Sequence, residues 1–384
     1  TYSSHEAQQG TFSEFTTQVD DLLNSPSSSV NTGVEAFFSS VHEVSNDPTS
    51  IASRQVMLTE GELLANRFQV LDLQITNLDK QVDNMLDVSI KEVNNLSNGI
   101  ANLNEAITSL SISGAVPNDL LDQRDQLINE LSGLVSVSTL QQTNGSVSVF
   151  IGTGQALVVD NSQVALKSIT DLQGRVAIGY GPTGMDITAQ VTGGSFGGAL
   201  QVRNEVIDSA RAELDLLAEA VVTEFNALHN DTLNANGAID LNGTAGGNFF
   251  DSASVTAATI NVAISDPREI AASSGTNPGV GNNENALELT KLQQAKTMVG
   301  GTQSFSESYS ILVANVATRT HQADIGQKTQ EGLLQQVSQQ LDSVSGVNLD
   351  EEAANLIKFQ QAYQAASQII TVSNTVFNSL INAM

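Results

Sequence analysis

The chain has 384 residues, with 42 Asp and Glu against 15 Lys and Arg, a formal net charge of −27, and no Cys or Trp. With basic residues scattered singly, no Lys/Arg patch can neutralise phosphates, so neither nucleic acid nor an anionic membrane is an expected partner. The lack of cysteine excludes disulfides, Cys-ligated zinc, iron–sulfur clusters and thiol nucleophiles, leaving stability to packing.

Phe12, Phe15, Val19 and Leu22 recur at helical spacing, and after a Ser/Pro stretch at 24–29 the pattern resumes with Val30, Val34, Phe37, Val41 and Val44. Both segments are predicted as amphipathic helices. Asp47-Pro48 ends the second, because proline lacks an amide hydrogen and restricts the residue before it. No proline occurs between Thr49 and Leu110, and the apolar positions step by four and three through Leu64, Phe68, Leu71, Ile75, Leu78, Val82 and Met85. After one irregular step they continue as Val93, Leu96, Ile100, Leu103, Ile107 and Leu110. Such spacing is a coiled-coil seam. It predicts a rod-like helix of roughly 90 Å at 1.5 Å per residue, with a seam shift or break between Met85 and Val93.

Asn118 or Asp119 is expected to cap a short helix from Leu120 to Leu131. The pattern then alternates: Val135, Val137, an Asn144-Gly145 turn and Val147-Ser-Val149-Phe-Ile151 predict a hairpin with a tight two-residue turn. Further short strands are predicted at 156–159, 175–178 and 187–191, then a long helix over about 198–229 and a Gly/Asn/Ala-rich tract at 234–283. From Glu284 the chain is helical again. In residues 349–380 the heptad is unbroken at Leu349, Leu356, Tyr363, Ile370 and Phe377, with a weaker companion row at Phe359, Ala366, Ser373 and Leu380. An apolar stripe of this kind needs another helix to bury it. The preceding helix, about 304–345, offers Leu312, Val316, Ala323, Leu333, Val337 and Val344 but is weak around Gly326 and Gln330. The better partner is expected outside this chain, which begins at Thr1 without Met.

The predicted class is α+β: an elongated, coiled-coil-like helical rod with an inserted β-rich domain and a C-terminal heptad helix. The expected segments are 1–133 (rod), 134–197 (β-rich), 198–232 (long helix), 233–283 (β-rich or loop), 284–345 (rod) and 346–384 (terminal helix). No run of about 18 apolar residues could span a membrane.

Catalytic motifs occur only without their context. Gly193-Gly-Ser195-Phe-Gly197 matches the nucleophile elbow, but only His229 and His321 follow it, both in helical segments, and the alternating βα pattern is missing. A glycine-rich turn into a helix accounts for it. Gly179-Tyr-Gly181-Pro-Thr-Gly184 precedes a strand-like segment, not a helix that could hold a pyrophosphate, and reads as a hairpin loop. Asp240-Leu-Asn242-Gly-Thr244 lacks the ligands and glycine of a calcium loop and reads as a polar turn. The four histidines show no metal-ligand spacing. No catalytic residue, cofactor or metal is expected, and the chain reads as a non-enzyme.

The run from Ser345 through Gly-Val-Asn-Leu-Asp-Glu-Glu352 to Asn355, Gln360 and Tyr363 resembles the C-terminal segment of flagellar rod, hook and hook-associated proteins. Leu120-Leu-Asp-Gln-Arg-Asp-Gln-Leu127, Gly197-Gly-Ala-Leu200, Phe225-Asn-Ala-Leu-His229 and Gly243-Thr-Ala-Gly-Gly-Asn-Phe-Phe250 are similar to the branch that joins hook to filament. That resemblance implies a secreted structural protein, exported unfolded by the flagellar type III route and assembled outside the cell for motility. It also implies that the family's N-terminal segment is absent here. Implied partners are the hook protein, the next hook-associated protein towards the filament, identical subunits in a ring, and an export chaperone on the C-terminal helix. Leu349, Leu356, Phe359, Tyr363, Ile370 and Phe377 are expected to pair with partner helices, and Asn355 and Gln360 to set their register. A hook component is the alternative within the flagellum. Outside it stand a surface adhesin using residues 134–283 and, least favoured, an esterase acting through Ser195.

Overall fold

The computed structural model describes residues 2–26, 29–112, 117–230, 237–345 and 349–383, with side chains for all of these except 112, 341–345, 349–352 and 383. Two compact units result, Thr1–Gln330 and Glu331–Met384. In the first, α1 (Tyr2–Asn24) and α2 (Val30–Asn46) bury the predicted stripes, with α2 ending just before Asp47-Pro48. Leu23 is fully buried where the sequence pointed to Leu22, which is only partly so.

Helix α3 (Ile51–Ile112) runs unbroken for 62 residues, about 93 Å at 1.5 Å per residue. The irregular step is a seam shift. The buried line passes through Val82, Leu86, Ile90 and Val93 while Met85 is only half-buried. Two successive four-residue steps keep the stripe facing the core on a helix that drifts against a strict heptad. Near its end the seam departs from expectation again: Leu103 is half-buried and Leu110 exposed, and the polar Asn104 takes the interior position beside Ile107.

Helix α4 (Asn118–Leu134) has no side-chain cap. Asn118 is already its first helical residue, and the cap is Pro117, whose carbonyl accepts from the Leu120 and Leu121 amides at 3.1 Å. Proline suits this place because its missing N–H is one the helix start would leave unpaired.

The strands form small antiparallel sheets. β1 (Val137–Gln141), β2 (Val147–Ile151), β3 (Gln155–Val159) and β4 (Ser162–Gln163) make one meander, and β5 (Leu166–Thr170), β6 (Val176–Tyr180) and β7 (Met185–Asp186) a second. β1 and β2 pair with Gln141 opposite Val147, but their turn is not the predicted two-residue type. Gly145 N–H donates to Gln142 C=O at 3.1 Å and Gln142 N–H to Ser146 C=O at 2.8 Å, enclosing Thr143, Asn144 and Gly145. Gly145 has φ 87°, the left-handed residue that a three-residue loop places after its turn. The predicted strand at 187–191 is also corrected. Asp186 Oδ1 accepts from Thr188 N–H at 2.8 Å and starts a 3₁₀ turn, Thr188–Gln190, instead.

The long helix is α5 (Gly194–Val202), a π turn (Arg203–Ile207) and α6 (Asp208–His229). β8 (Ala238–Ile239) pairs with β9 (Ser273–Ser274) within the 234–283 tract, of which 234–236 lie outside the described residues. α7 (Glu284–Lys291) and the first part of α8 (Phe305–Ser345) complete this unit.

Polar side chains of α3 fasten the strands. Asn94 donates to Leu166 C=O at 2.9 Å and accepts from its N–H at 2.8 Å. Asn104 does the same for Val147, at 2.8 and 3.0 Å. Each carboxamide thus replaces the neighbouring strand that a peptide group would otherwise need. The second unit contains α9 (Leu349–Ala383), 35 residues long.

Candidate functional site

The motif segments are joined in space within the first unit. Asn226, 5% exposed, accepts from the Phe249 and Phe250 amides at 2.9 Å and donates to Phe250 C=O at 2.8 Å. Phe225 lies 5.1 Å from both Phe37 and Phe249 between ring centroids, and Phe250 completes the cluster. His229 is fully buried. Its Nδ1 lies 2.7 Å from Gly247 C=O, and its Nε2 accepts from Ala271 N–H at 2.9 Å. That amide can only donate, so Nε2 is unprotonated and Nδ1 carries the hydrogen. Burial holds the His229 pKa down to about 4. The Phe-Asn-Ala-Leu-His and Gly-Asn-Phe-Phe motifs are therefore two halves of one aromatic and amide junction.

Arg124, from the Leu120–Leu127 motif, is buried and donates to Asn104 Oδ1 at 3.3 Å and to Gly145 C=O at 2.8 Å, tying α4 to the first hairpin. The elbow-like glycines also have packing explanations. A Cβ on Gly194, at φ 60°, would stand 2.2 Å from the Leu134 carbonyl carbon, and one on Gly198 would stand 2.5 Å from Gln8 C=O where α5 crosses α1. The Ser195 hydroxyl is buried and bonds to nothing, and His229 has both ring nitrogens engaged. Gly181 and Gly184 close the β6–β7 loop by a 3.2 Å turn bond, as the hairpin reading requires. The Asp240 carboxylate caps its own turn through Thr244 N–H at 2.8 Å and Thr244 Oγ1 at 2.7 Å.

In the second unit, the described side chains of α9 from 353 to 382 are all exposed. Phe359 is 71% and Tyr363 78% exposed; Asn355, Leu356, Gln360, Ile370 and Phe377 are exposed with them. The side chain of Leu349 lies outside the described residues. Ile369, Val372, Val376 and Ile381 also stand exposed and do not belong to the predicted heptad row. They widen the apolar face to roughly half the helix circumference in its C-terminal part. The run Ile369-Ile-Thr-Val372 was the signal for them, hidden by a strict seven-residue template.

Residues 16–250 match the family described as the flagellar hook-associated protein FlgK helical domain. The chain belongs to this FlgK family. It is a structural protein of the extracellular flagellar hook–filament junction, not an enzyme. Residues 338–383 also match a second family, the flagellar basal body rod FlgEFG protein C-terminal. The Escherichia coli K12 flagellar hook-associated protein 1 is 28% identical over 95% of this chain and 83% of its own length. The Bacillus subtilis protein of the same name is 25% identical over 96% of this chain and 79% of its own. The FlgK hook junction protein of Burkholderia pseudomallei, 18% identical, shares the fold with a TM-score of 0.80 over 89% of this chain and 98% of that one. The matched span 16–250 therefore contains the Asn226–Phe249–Phe250 and Arg124–Asn104–Gly145 contacts, and partners along the flagellar axis follow from the family.

Proposed function

We propose that α9 is the segment through which this subunit enters the axial structure, and that residues 346–384 form a domain of their own for that purpose. Leu349, Leu356, Phe359, Tyr363, Ile370 and Phe377 supply the packing face, with Asn355 and Gln360 setting register. The observation that carries this reading is an unbroken helix, apolar along one face, whose described side chains from 353 to 382 are all exposed, in the stretch that matches the flagellar axial C-terminal family. An apolar arc this wide is buried by more than one neighbour, since a two-stranded seam needs only the a and d rows.

The charge distribution agrees. From residue 353 onward the chain has Lys358 and no acid, although the whole carries −27. Subunits can bring such helices together without the repulsion that the rest of the surface imposes. The proposed neighbours are the hook protein on one side, the next hook-associated protein on the other, and identical subunits around the ring. Before assembly an export chaperone covers the same face, as an amphipathic helix in a groove.

The test is to introduce Tyr363→Asp or Ile370→Asp into the full chain in a strain lacking the native protein. Filament attachment and motility should be lost while residues 1–330 keep their melting behaviour. Normal motility in both variants would remove α9 from the assembly surface.

A further inference from the structure

The polar turn at 240–244 and the hairpin turn at 142–146 share one backbone form, and each is closed by an Asn-Gly pair. Gly243 N–H donates to Asp240 C=O at 3.2 Å, and Asp240 N–H to Thr244 C=O at 2.9 Å, matching the Gly145–Gln142 and Gln142–Ser146 bonds of the hairpin at 3.1 and 2.8 Å. Both glycines are left-handed, at φ 81° and 87°. A third pair, Asn98-Gly99, lies inside α3, and a fourth, Asn236-Gly237, has its asparagine outside the described residues.

Asn-Gly is the peptide step most open to spontaneous deamidation, because glycine has no Cβ to shield its nitrogen or restrict its rotation. The glycine nitrogen attacks the asparagine Cγ. A C–N bond forms, the Cγ–Nδ2 bond breaks, and ammonia leaves with the proton taken from the glycine amide. Water then opens the succinimide: breaking its bond at Cγ gives aspartate, and breaking the one at the main-chain carbonyl gives isoaspartate, whose backbone runs through the former side chain. The reaction needs a free carboxamide and a main chain able to turn its nitrogen towards Cγ.

The three described pairs differ in both respects. Asn98 is exposed, but its main chain is fixed within 62 residues of unbroken helix, and a Cβ on Gly99 would stand 2.9 Å from Leu127 Cδ1. Asn144 Oδ1 accepts from Ser146 N–H at 3.0 Å and Ser146 Oγ at 2.7 Å, so its carboxamide is held. Its glycine is held as well: Gly145 C=O accepts from Arg124 at 2.8 Å, and Ile107 and Ser111 lie 3.5 Å from its Cβ position. Asn242 and Gly243 are both exposed, the Asn242 side chain makes no hydrogen bond with the described residues, and nothing lies within 4 Å of a Cβ position on Gly243. Gly243 N–H is held by the 3.2 Å turn bond alone.

We propose that Asn242 is a site of spontaneous conversion to aspartate and isoaspartate in the folded chain, ahead of Asn144 and Asn98. Either product adds a negative charge two residues from Asp240, whose carboxylate holds Thr244. Isoaspartate also lengthens the backbone of a loop that Leu241 N–H ties to Arg268 C=O at 2.9 Å and that the Ile239–Ala245 bridge closes. The next residue, Gly246, packs so tightly on His229 C=O that a Cβ would stand 2.1 Å from that oxygen, so the altered loop leads directly into the aromatic junction. A subunit outside the cell is beyond cytoplasmic repair and turnover, and the conversion accumulates with its age.

The full chain is aged folded in mildly alkaline buffer, with an identical sample in guanidinium, and both are digested at acid pH. Mass spectrometry with fragmentation then follows the amide-to-acid conversion at Asn98, Asn144 and Asn242. In the folded sample Asn242 should convert several-fold faster than the other two. In guanidinium the three rates should draw together, because each is then an unstructured Asn-Gly step. An isoaspartyl methyltransferase should label residue 242, and Asn242→Gln should lose that label. If Asn242 keeps its amide in the folded chain while the guanidinium sample converts, or if Asn144 converts as fast as Asn242 in the folded chain, the assignment is overturned. Unequal rates that persist in guanidinium would trace the difference to sequence and overturn the structural argument for it.

Discussion

Arg203 and Asp83 hold one residue of β6 between them: Arg203 Nη1 donates to Val176 C=O at 2.9 Å, and Asp83 accepts from Val176 N–H at 2.8 Å. The pair is itself joined through Arg203 Nη2, and Arg203 Nε donates to Asp79 at 3.0 Å. Arg175 and Arg211 reach the same Asp79 at 3.8 and 3.6 Å. Arg203 opens the π turn, whose wider coil directs it at α3 and the sheet together. Losing one partner of a buried ion pair costs about 3–5 kcal/mol. Arg203→Ala is accordingly expected to lower the unfolding free energy by about 3 kcal/mol in urea titrations, and to expose the β5–β7 sheet to protease. Arg203→Met combined with Asp79→Leu should recover part of that loss, because it removes the stranded Asp79 carboxylate, while Asp83 keeps the Val176 N–H and Arg175 and Arg211 keep Asp208. An equal loss in the double variant would rule out a stranded Asp79 as the source.

Asn104 is 1% exposed and makes four bonds: it holds both backbone groups of Val147, donates to Asp160 C=O at 2.7 Å and accepts from Arg124. Asn104→Leu would fill the seam as the heptad pattern asks, yet strand those groups. The expected outcome is a loss of roughly 2–3 kcal/mol, the penalty of buried unsatisfied polar groups. A leucine variant as stable as the native chain in denaturant melts would show that the seam needs only an apolar side chain.

His229 makes stability depend on pH. It is neutral in the folded chain down to about pH 4 but titrates near 6.5 when unfolded. Between these values the unfolded state binds more protons, so stability is full above 6.5 and falls as pH drops towards 4. The loss amounts to about 3 kcal/mol at 1.36 kcal/mol per pH unit. His229→Gln is expected to be less stable at neutral pH and flatter across this window. Parallel stability curves for the two proteins between pH 6.5 and 4 would remove His229 as the source.

The helical periodicities were legible because packing acts through side chains one turn apart: α1, α2 and the seam of α3 follow from apolar spacing alone. The strand attachments were not. Asn94 and Asn104 look like ordinary surface polarity in the sequence, and only tertiary contact shows that each carboxamide substitutes for a strand neighbour. The 3₁₀ turn after Asp186 and the Pro117 cap were hidden likewise, since one side-chain or carbonyl bond decides the local path. On α9 the heptad row could be read directly, and its flank at Ile369, Val372 and Val376 needed a wider arc than the coiled-coil template supplies.

Association through α9 should be insensitive to salt. Its only charge beyond residue 352 is Lys358, so screening has nothing to weaken, and salts that strengthen apolar burial should tighten it slightly. Sedimentation of a peptide covering 353–384, which leaves out Asp350, Glu351 and Glu352, with a partner segment at low and high sodium chloride checks this. A pronounced weakening at high salt would point to ion pairs and away from the apolar face.

Val299 separates strain from contact. Its left-handed conformation costs an ordinary residue roughly 1–2 kcal/mol, and glycine adopts it freely. Gly300 and Gly301 follow at φ 67° and 85°, so the loop already has the backbone shape that a third glycine would tolerate. Val299→Gly should therefore stabilise the folded chain by about 1 kcal/mol after the entropy cost of glycine, read as a higher thermal midpoint. Val299→Ala keeps the left-handed backbone and removes only the exposed methyls, so its midpoint should barely move. If Val299→Gly melts lower than native, the valine is not strained.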